Sequence, residues 1–384
     1  MGGAVQSLSI EVTEEREAPA VCRFEGMAAP APERDGAAAD LRRMDRLVDG
    51  VEEALAMAMR RLRVIAAPGY PVEQLCTEAE LFQRGGKRLR PLLMLSAYSG
   101  YGGEARTPPW QAAAALEILH AFALIHDDIL DGSIRRRNRP SMPARMRRRF
   151  ARIGDGEKQG RDLAMLAGDI LLSLAVETFL SQAGEPHRIM RSLRLILDAA
   201  VYTGSGAFQE VVAREGRARL SLVELLHLYD AKTGVYSFVC PLQVGAVLAG
   251  ADDRELPRLA DFGRQLGRAY QIHDDLDELE AILRDAVPNP ICPAETFLLF
   301  PVQIALHALP AGDCAALERI CNLSTRTQAD LSELAALIDK ADASREAKRR
   351  IEAALRQAAR ASRRLAMGPD CADRLTRYCC KLVL

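Results

Sequence analysis

Apolar residues recur three or four positions apart from Leu41 onward, and Leu47, Val51, Leu55, Met59 and Leu62 form one continuous stripe. That period marks an amphipathic helix. It returns over 91–98, 110–130, 162–180, 189–202, 220–229, 235–248 and 256–283, while the alternation of a half-buried strand is nearly absent. The stretch "AAAALEILHAFALI", residues 112–125, is apolar around most of its circumference, as suits a central helix surrounded by others. The pattern predicts one large all-α bundle over 41–384. Residues 1–40 are rich in Ala, Glu, Pro and Gly and carry few large apolar groups, so they are expected to form a flexible tail.

Composition adds exclusions. The 384 residues are 49% hydrophobic, enough for a substantial core, and 51 basic against 52 acidic residues leave a formal charge of -1. Such a balance gives no global reason to expect a nucleic-acid or acidic-membrane partner. Nine cysteines, at 22, 76, 240, 292, 314, 321, 371, 379 and 380, lack the spacing of a zinc site or a redox pair. With no signal-like start and no uninterrupted apolar run of membrane-spanning length, a soluble cytoplasmic protein without an integral membrane segment is expected. The arginine-dense segment 135–152 interrupts the helical pattern with Pro140 and Pro143 and reads mainly as a solvated basic connection.

Two acidic clusters carry the candidate chemistry. "ALIHDDILDG", 123–132, places Asp127 and Asp131 at i and i+4 with Asp128 beside them, and "YQIHDDLDEL", 270–279, repeats the arrangement with Asp274, Asp275 and Glu278. On a helix, i and i+4 share a face about 6 Å apart. Carboxylates in apolar helices need cations, and oxygen ligands without clustered Cys or His favour Mg²⁺, which completes its shell with water and phosphate oxygens. His126 and His273 are expected to be hydrogen-bonding residues of their helices rather than ligands. "GGKRLRP", 85–91, offers two glycines with Lys87 and Arg90, and Arg136 and Arg137 add two guanidiniums suited to phosphate. Two metal patches and two basic patches are equipment for two diphosphates.

These stretches, with "EILHAFALIHDDILDGSIRRRNRP" (117–140), "KTGVYSF" (232–238) and Gly168-Asp169, resemble the trans-isoprenyl diphosphate synthases, or polyprenyl synthetases, over roughly residues 45 to 310. The resemblance implies an all-α, single-domain fold of the isoprenoid synthase type with a central cavity. It implies a homodimer using about three Mg²⁺ ions. Asp127, Asp128, Asp131, Asp274, Asp275 and Glu278 would bind the metal. Arg136 would hold the allylic diphosphate, and Lys232, Thr233 and Gln271 would lie near it and the developing cation. Lys87, Arg90, His120 and Arg137 would bind isopentenyl diphosphate. The implied reaction joins that substrate to a dimethylallyl, geranyl or farnesyl diphosphate. Phe122, five residues before the first Asp and followed by Ala123, looks like the floor under the growing chain in geranylgeranyl diphosphate synthases.

The chain also departs from the family pattern. No lysine occurs between Lys232 and Lys340, where the family places one that touches the allylic diphosphate, and "RDAVPNPICPAETFLLF" (284–300) stands there instead. Arg284 is a candidate substitute. Asn138 replaces a glycine, and Glu278 replaces the last Asp of the second motif. A diverged class I terpene cyclase or coupling prenyltransferase, and a non-catalytic regulatory subunit of a synthase, are therefore the alternatives.

Overall fold

Helix α1 (Gly36–Ile65) buries Val51, Leu55, Met59 and Leu62, the stripe that predicted it. The computed structural model describes residues 36–137, 139–151, 156–284, 293–323, 325–368, 371–372 and 374–378. Residues 1–35 of the expected tail lie outside these, and α1 begins inside the remainder of it.

Helix α4 (Trp110–Leu130) runs through the middle of the bundle. Ala112 to Ala115 are buried side by side, and such small residues let α1, α3 (Leu89–Gly100) and α6 (Gly156–Leu180) close on it. The short helices α2 (Tyr70–Gln83) and α5 (Met142–Arg149), which the period did not predict, complete this side. Between α4 and α5 the arginine tract forms a two-residue hairpin, β1 (Arg135–Arg136) against β2 (Arg139–Pro140), rather than a featureless connection.

On the other side α7 (Pro186–Glu215) continues well beyond the predicted end at 202. Helix α8 (Leu222–Tyr229) is capped by Ser221 and Glu224 and runs without a break into a π-helical segment, Asp230–Val239, and then α9 (Cys240–Ala249). Long π-helical runs are rare and cluster at functional sites. Helix α10 (Glu255–Leu283) packs on this segment and on α15 (Ala343–Ser362). The helices α11 (Pro293–Leu298), α12 (Phe300–Ala308), α13 (Ala311–Cys321) and α14 (Gln328–Lys340) form a separate apolar cluster with the end of α10.

By length and composition α6 is apolar enough to cross a membrane, which the sequence pattern did not register. In this fold one face of it packs along α4, while Met165, Leu166 and Ile170 on another are exposed.

Two close approaches set the cavity walls. A Cβ on Gly168 of α6 would stand 2.6 Å from Nε2 of His126, so the bare glycine makes the notch that seats the residue before Asp127. A Cβ on Gly267 of α10 would stand 2.5 Å from the Cα of Gly234, so backbone lies on backbone where α10 meets the π-helical segment. Overpacking of this kind costs about 1–3 kcal/mol. Gly267→Ala is expected to lower the urea unfolding midpoint by that equivalent, read by far-ultraviolet circular dichroism; an unchanged midpoint would show that the contact is not tight.

Candidate active site

A cavity of about 550 Å³ opens between the C-terminal end of α4, the arginine hairpin, α7, the π-helical segment and α10. Six acidic side chains line it, Asp127, Asp131, Glu210, Asp274, Asp275 and Glu278, and six basic ones, Arg90, Arg135, Arg136, Arg137, Arg214 and Lys232. Leu124, Leu228, Leu298 and Leu299 supply apolar wall.

The first cluster does not present three carboxylates together. Asp127 and Asp131 reach the cavity, whereas Asp128 is 0% exposed and does not line it. The reason is helical phase: Asp128 continues the buried face through Ile118, Ala121 and Ile125. Arg136 donates from Nε to Asp128 Oδ1 at 2.7 Å and from Nη2 to Asp127 Oδ2 at 2.9 Å. Burial pushes the Asp128 carboxyl up to about 6, with Arg136 opposing, and its Oδ2 has no hydrogen-bond partner. The expected metal ligand Asp128 is thus an internal partner of Arg136.

The second cluster has the same plan. Asp274 and Glu278 line the cavity at i and i+4, while Asp275 is 5% exposed. Asp275 accepts from the Tyr229 hydroxyl, from the Phe300 backbone N–H at 2.8 Å and from Gln271 Nε2 at 2.9 Å. Burial raises it to about 6 against these three donors. Asp275, too, is committed to the protein. Asp274 is open to the cavity yet set deep in the molecule; burial and the Asp277 carboxylate raise its pKa, with Lys232 and Lys87 opposing. Among the described residues it holds no ion pair.

Each wall therefore offers an open i, i+4 pair with its middle acid buried and bonded within the protein, Asp128 off the cavity and Asp275 at its lining. Among the described residues no three acid, imidazole or thiol groups converge on one point. That suits Mg²⁺, which is held by one or two carboxylates and takes its other oxygens from water and substrate.

Between the walls Lys232 Nζ bonds Glu210 Oε1 at 2.7 Å. Burial alone would lower its pKa, but Glu210, Asp127 and Asp131 outweigh that and hold it well above the usual lysine value. Thr233 donates to Gln271 Oε1 at 2.7 Å, so Thr233, Gln271, Asp275 and Tyr229 form one hydrogen-bonded chain.

The second basic group is less united. Arg90 bonds Ser237 Oγ at 2.7 Å and lies over the Tyr236 ring at 4.6 Å, and His120 faces the same ring at 6.1 Å. Arg90 Nε and His120 Nδ1 are buried without partners. Burial, then the charges of Arg90 and Arg137, hold His120 far below its ordinary pKa, so it is neutral. Arg137 bonds the Gly85 carbonyl at 3.0 Å and lies on Gly86. Arg90 and Arg137 line the main cavity; Lys87 and His120 do not. A recess of about 200 Å³ adjoins it, lined by Gly85, Gly86, Arg136 and Arg137 among others.

Phe122 does not line the main cavity. Its ring packs against His126 at 4.6 Å, on the α4 face that descends through Leu119 and Ala115 to a narrow seam with α6 and α7. His126 and His273 approach Asp169 and Asp277, each at 3.4 Å. Arg284 turns back onto Glu280 at 3.2 Å and is not in the cavity wall; residues 285–292 of the altered segment, and Asn138, lie outside the described residues. Glu210 and Arg214 on α7, and Tyr229, escaped the sequence pattern. The only signal for Glu210 and Arg214 was their i, i+4 charge pair in "FQEVVARE".

The polyprenyl synthetase family model matches residues 74–281, more than half of the chain. The chain belongs to that family. It is 30% identical over 235 residues to a short chain isoprenyl diphosphate synthase of Methanothermobacter thermautotrophicus, covering 60% of this chain and 66% of the relative. It is 35% identical over 204 residues to a geranylgeranyl diphosphate synthase of Sulfolobus acidocaldarius, covering 52% and 57%. This polyprenyl synthetase thus spans less than two thirds of the length of those relatives. A geranylgeranyl pyrophosphate synthase structure from Corynebacterium glutamicum, complexed with isoprenyl diphosphate and magnesium, superposes with a TM-score of 0.79 at 21% identity over 88% of this chain and 99% of that one, a likeness of fold.

The hydrogen-bonded chain ending at Thr233 yields a direct expectation. Tyr229→Phe removes one donor from a buried carboxylate, which costs about 1–3 kcal/mol. The thermal midpoint should fall accordingly at neutral pH; an unchanged midpoint would mean that Tyr229 does not hold Asp275.

Proposed function

We propose that this polyprenyl synthetase condenses isopentenyl diphosphate with an allylic diphosphate, lengthening the prenyl chain by one unit per cycle. The observation that carries this reading is the pair of opposed walls, Asp127/Asp131 and Asp274/Glu278, facing one cavity with Lys232, Thr233 and Gln271 between them. When bound there by these carboxylates, Mg²⁺ would neutralise negative charge growing on the leaving pyrophosphate. Arg136 and Lys232 are positioned to hold the allylic diphosphate. The Thr233 hydroxyl donates its hydrogen bond to Gln271 Oε1, so its oxygen lone pairs are available to a cationic carbon. Leucine walls keep water from that carbon.

The unpartnered Arg90 Nε and His120 Nδ1 support an anionic ligand beside them, and with Lys87 and Arg137 they are the candidate isopentenyl diphosphate site. In the reaction the allylic C1–O bond breaks, the isopentenyl double bond attacks C1, and the departing pyrophosphate takes the proton lost from the adjacent carbon. A side-chain nucleophile is not needed.

We read the product as geranylgeranyl diphosphate, with Phe122 as a stop above the seam at Leu119 and Ala115. We also read the active form as a homodimer. Leu197, Val201, Phe208 and Val212 of α7, with Met165, Leu166 and Ile170 of α6, leave a broad exposed apolar face, and Phe208 is 72% exposed. Patches of that kind mark protein contacts. Free thiols at Cys76, Cys240, Cys314, Cys321 and Cys371 suit a reducing compartment, and the cytoplasm is the location proposed.

Incubation with Mg²⁺, isopentenyl diphosphate and each of the C5, C10 and C15 allylic diphosphates, followed by product sizing, tests the reading. Consumption of isopentenyl diphosphate is expected. Its absence with every allylic partner would overturn the proposal, and turnover of an allylic substrate alone would favour a cyclase. Phe122→Ala should shift products to longer chains, and an unaltered distribution would remove it as the stop. Phe208→Asp should convert dimer to monomer in light scattering; a wild type that is already monomeric would refute the pairing.

A further inference from the structure

One cation in the cavity wall belongs to none of the motifs. Arg214 stands one helical turn beyond Glu210 on α7 and is 6% exposed. Its Nη1 donates to Asp131 Oδ1 at 2.7 Å, its Nη2 to the Leu130 carbonyl at 3.3 Å, and Glu215 Oε1 lies 3.5 Å from Nε. Arg214 thus grips an outward carboxylate of the first wall, at an oxygen that a divalent ion would need.

We propose that Arg214 is a placeholder cation and diphosphate ligand. It holds Asp131 while the cavity is empty of substrate, yields that carboxylate to a divalent ion, and passes its guanidinium to the diphosphate that enters with the ion. The proposal rests on the function proposed above. Arg214 exchanges one anionic partner for another. A guanidinium this deeply set is costly to deprive of a close anion, so an ion arriving alone must both compete for Asp131 and leave Arg214 without its 2.7 Å carboxylate contact, Glu215 being the more distant one. A diphosphate removes that penalty, because its oxygens match the planar two-pronged donor that Arg214 presents. Metal and diphosphate are therefore taken up together at this wall. Opposite, Asp274 holds no ion pair among the described residues, so an ion binding there displaces no resident cation from it. Arg214 also supplies charge in a chain that has no lysine between Lys232 and Lys340 and whose Arg284 faces away.

The full-length protein, wild type and Arg214→Gln, is titrated calorimetrically with Mn²⁺ alone and with inorganic pyrophosphate in excess Mg²⁺. Loss of one charge-assisted contact predicts roughly tenfold weaker pyrophosphate binding. Mn²⁺ alone should bind Arg214→Gln more tightly, since its competitor is gone. These opposite shifts separate the proposal from a strut, whose removal would misplace Asp131 and weaken both. Equal weakening, or no change in either, overturns the proposal. If Gln disturbs folding, judged by circular dichroism, Arg214→Lys carries the test: it keeps Asp131 paired but loses the two-pronged contact, so pyrophosphate alone should bind more weakly. Wild type that binds no pyrophosphate with Mg²⁺ would instead overturn the proposed function, and this inference with it.

Discussion

A carboxylate inside a helical bundle needs a cation or hydrogen-bond donors beside it, and six acids share this cavity with six basic side chains. Three contacts organise them. Arg136 joins the hairpin to α4 through Asp127 and Asp128, Arg214 joins α7 to α4 through Asp131, and Lys232 joins the π-helical segment to α7 through Glu210. The charged side chains proposed to meet a diphosphate are therefore also cross-braces between these elements. Chemistry and architecture draw on the same side chains.

The second wall is built differently. Asp275 collects donors from α8, α10 and the first residue of α12, so a buried carboxylate fixes the relative position of three helices. Its neighbour Gln271 carries that order to Thr233. The polar atoms proposed to face the reacting carbon are thus placed by a hydrogen-bonded relay rather than by direct packing.

Much of this was legible in the sequence. The 3.6-residue period gave α1, α3, α4, α6 and α10, and the two Asp-rich stretches do face one cavity. What a linear pattern could not give is helical phase relative to neighbours. Asp127 and Asp128 are adjacent letters, yet about 100° of rotation separates a cavity-lining carboxylate from a buried partner of Arg136. Asp274 and Asp275 differ likewise in burial, though both line the cavity. Lys87, His120 and Phe122 stand off the main cavity for a related reason: sharing a motif does not mean sharing a surface. The extension of α7 past 202 was hidden because its later residues, Phe208 and Val212, are apolar outward and Glu210 and Arg214 are charged inward, the reverse of an ordinary amphipathic helix. The periodic stretches read from the sequence end at 283, so α11 to α15 were not among them.

Helix α8, the π-helical segment and α9 form one continuous rod from Leu222 to Ala249. Its middle hydrogen bonds span i to i+5 rather than i to i+4. Such a rod can absorb many substitutions, but it cannot gain a residue quietly. Inserting one between Asp230 and Val239, where the winding is already wide, would swing everything beyond it by about 100°. The glycine contact with α10 and the outward aim of Lys232 could not both survive that turn. In this protein a stretch poorly able to grow is therefore a helix, where changes of length are usually looked for in loops.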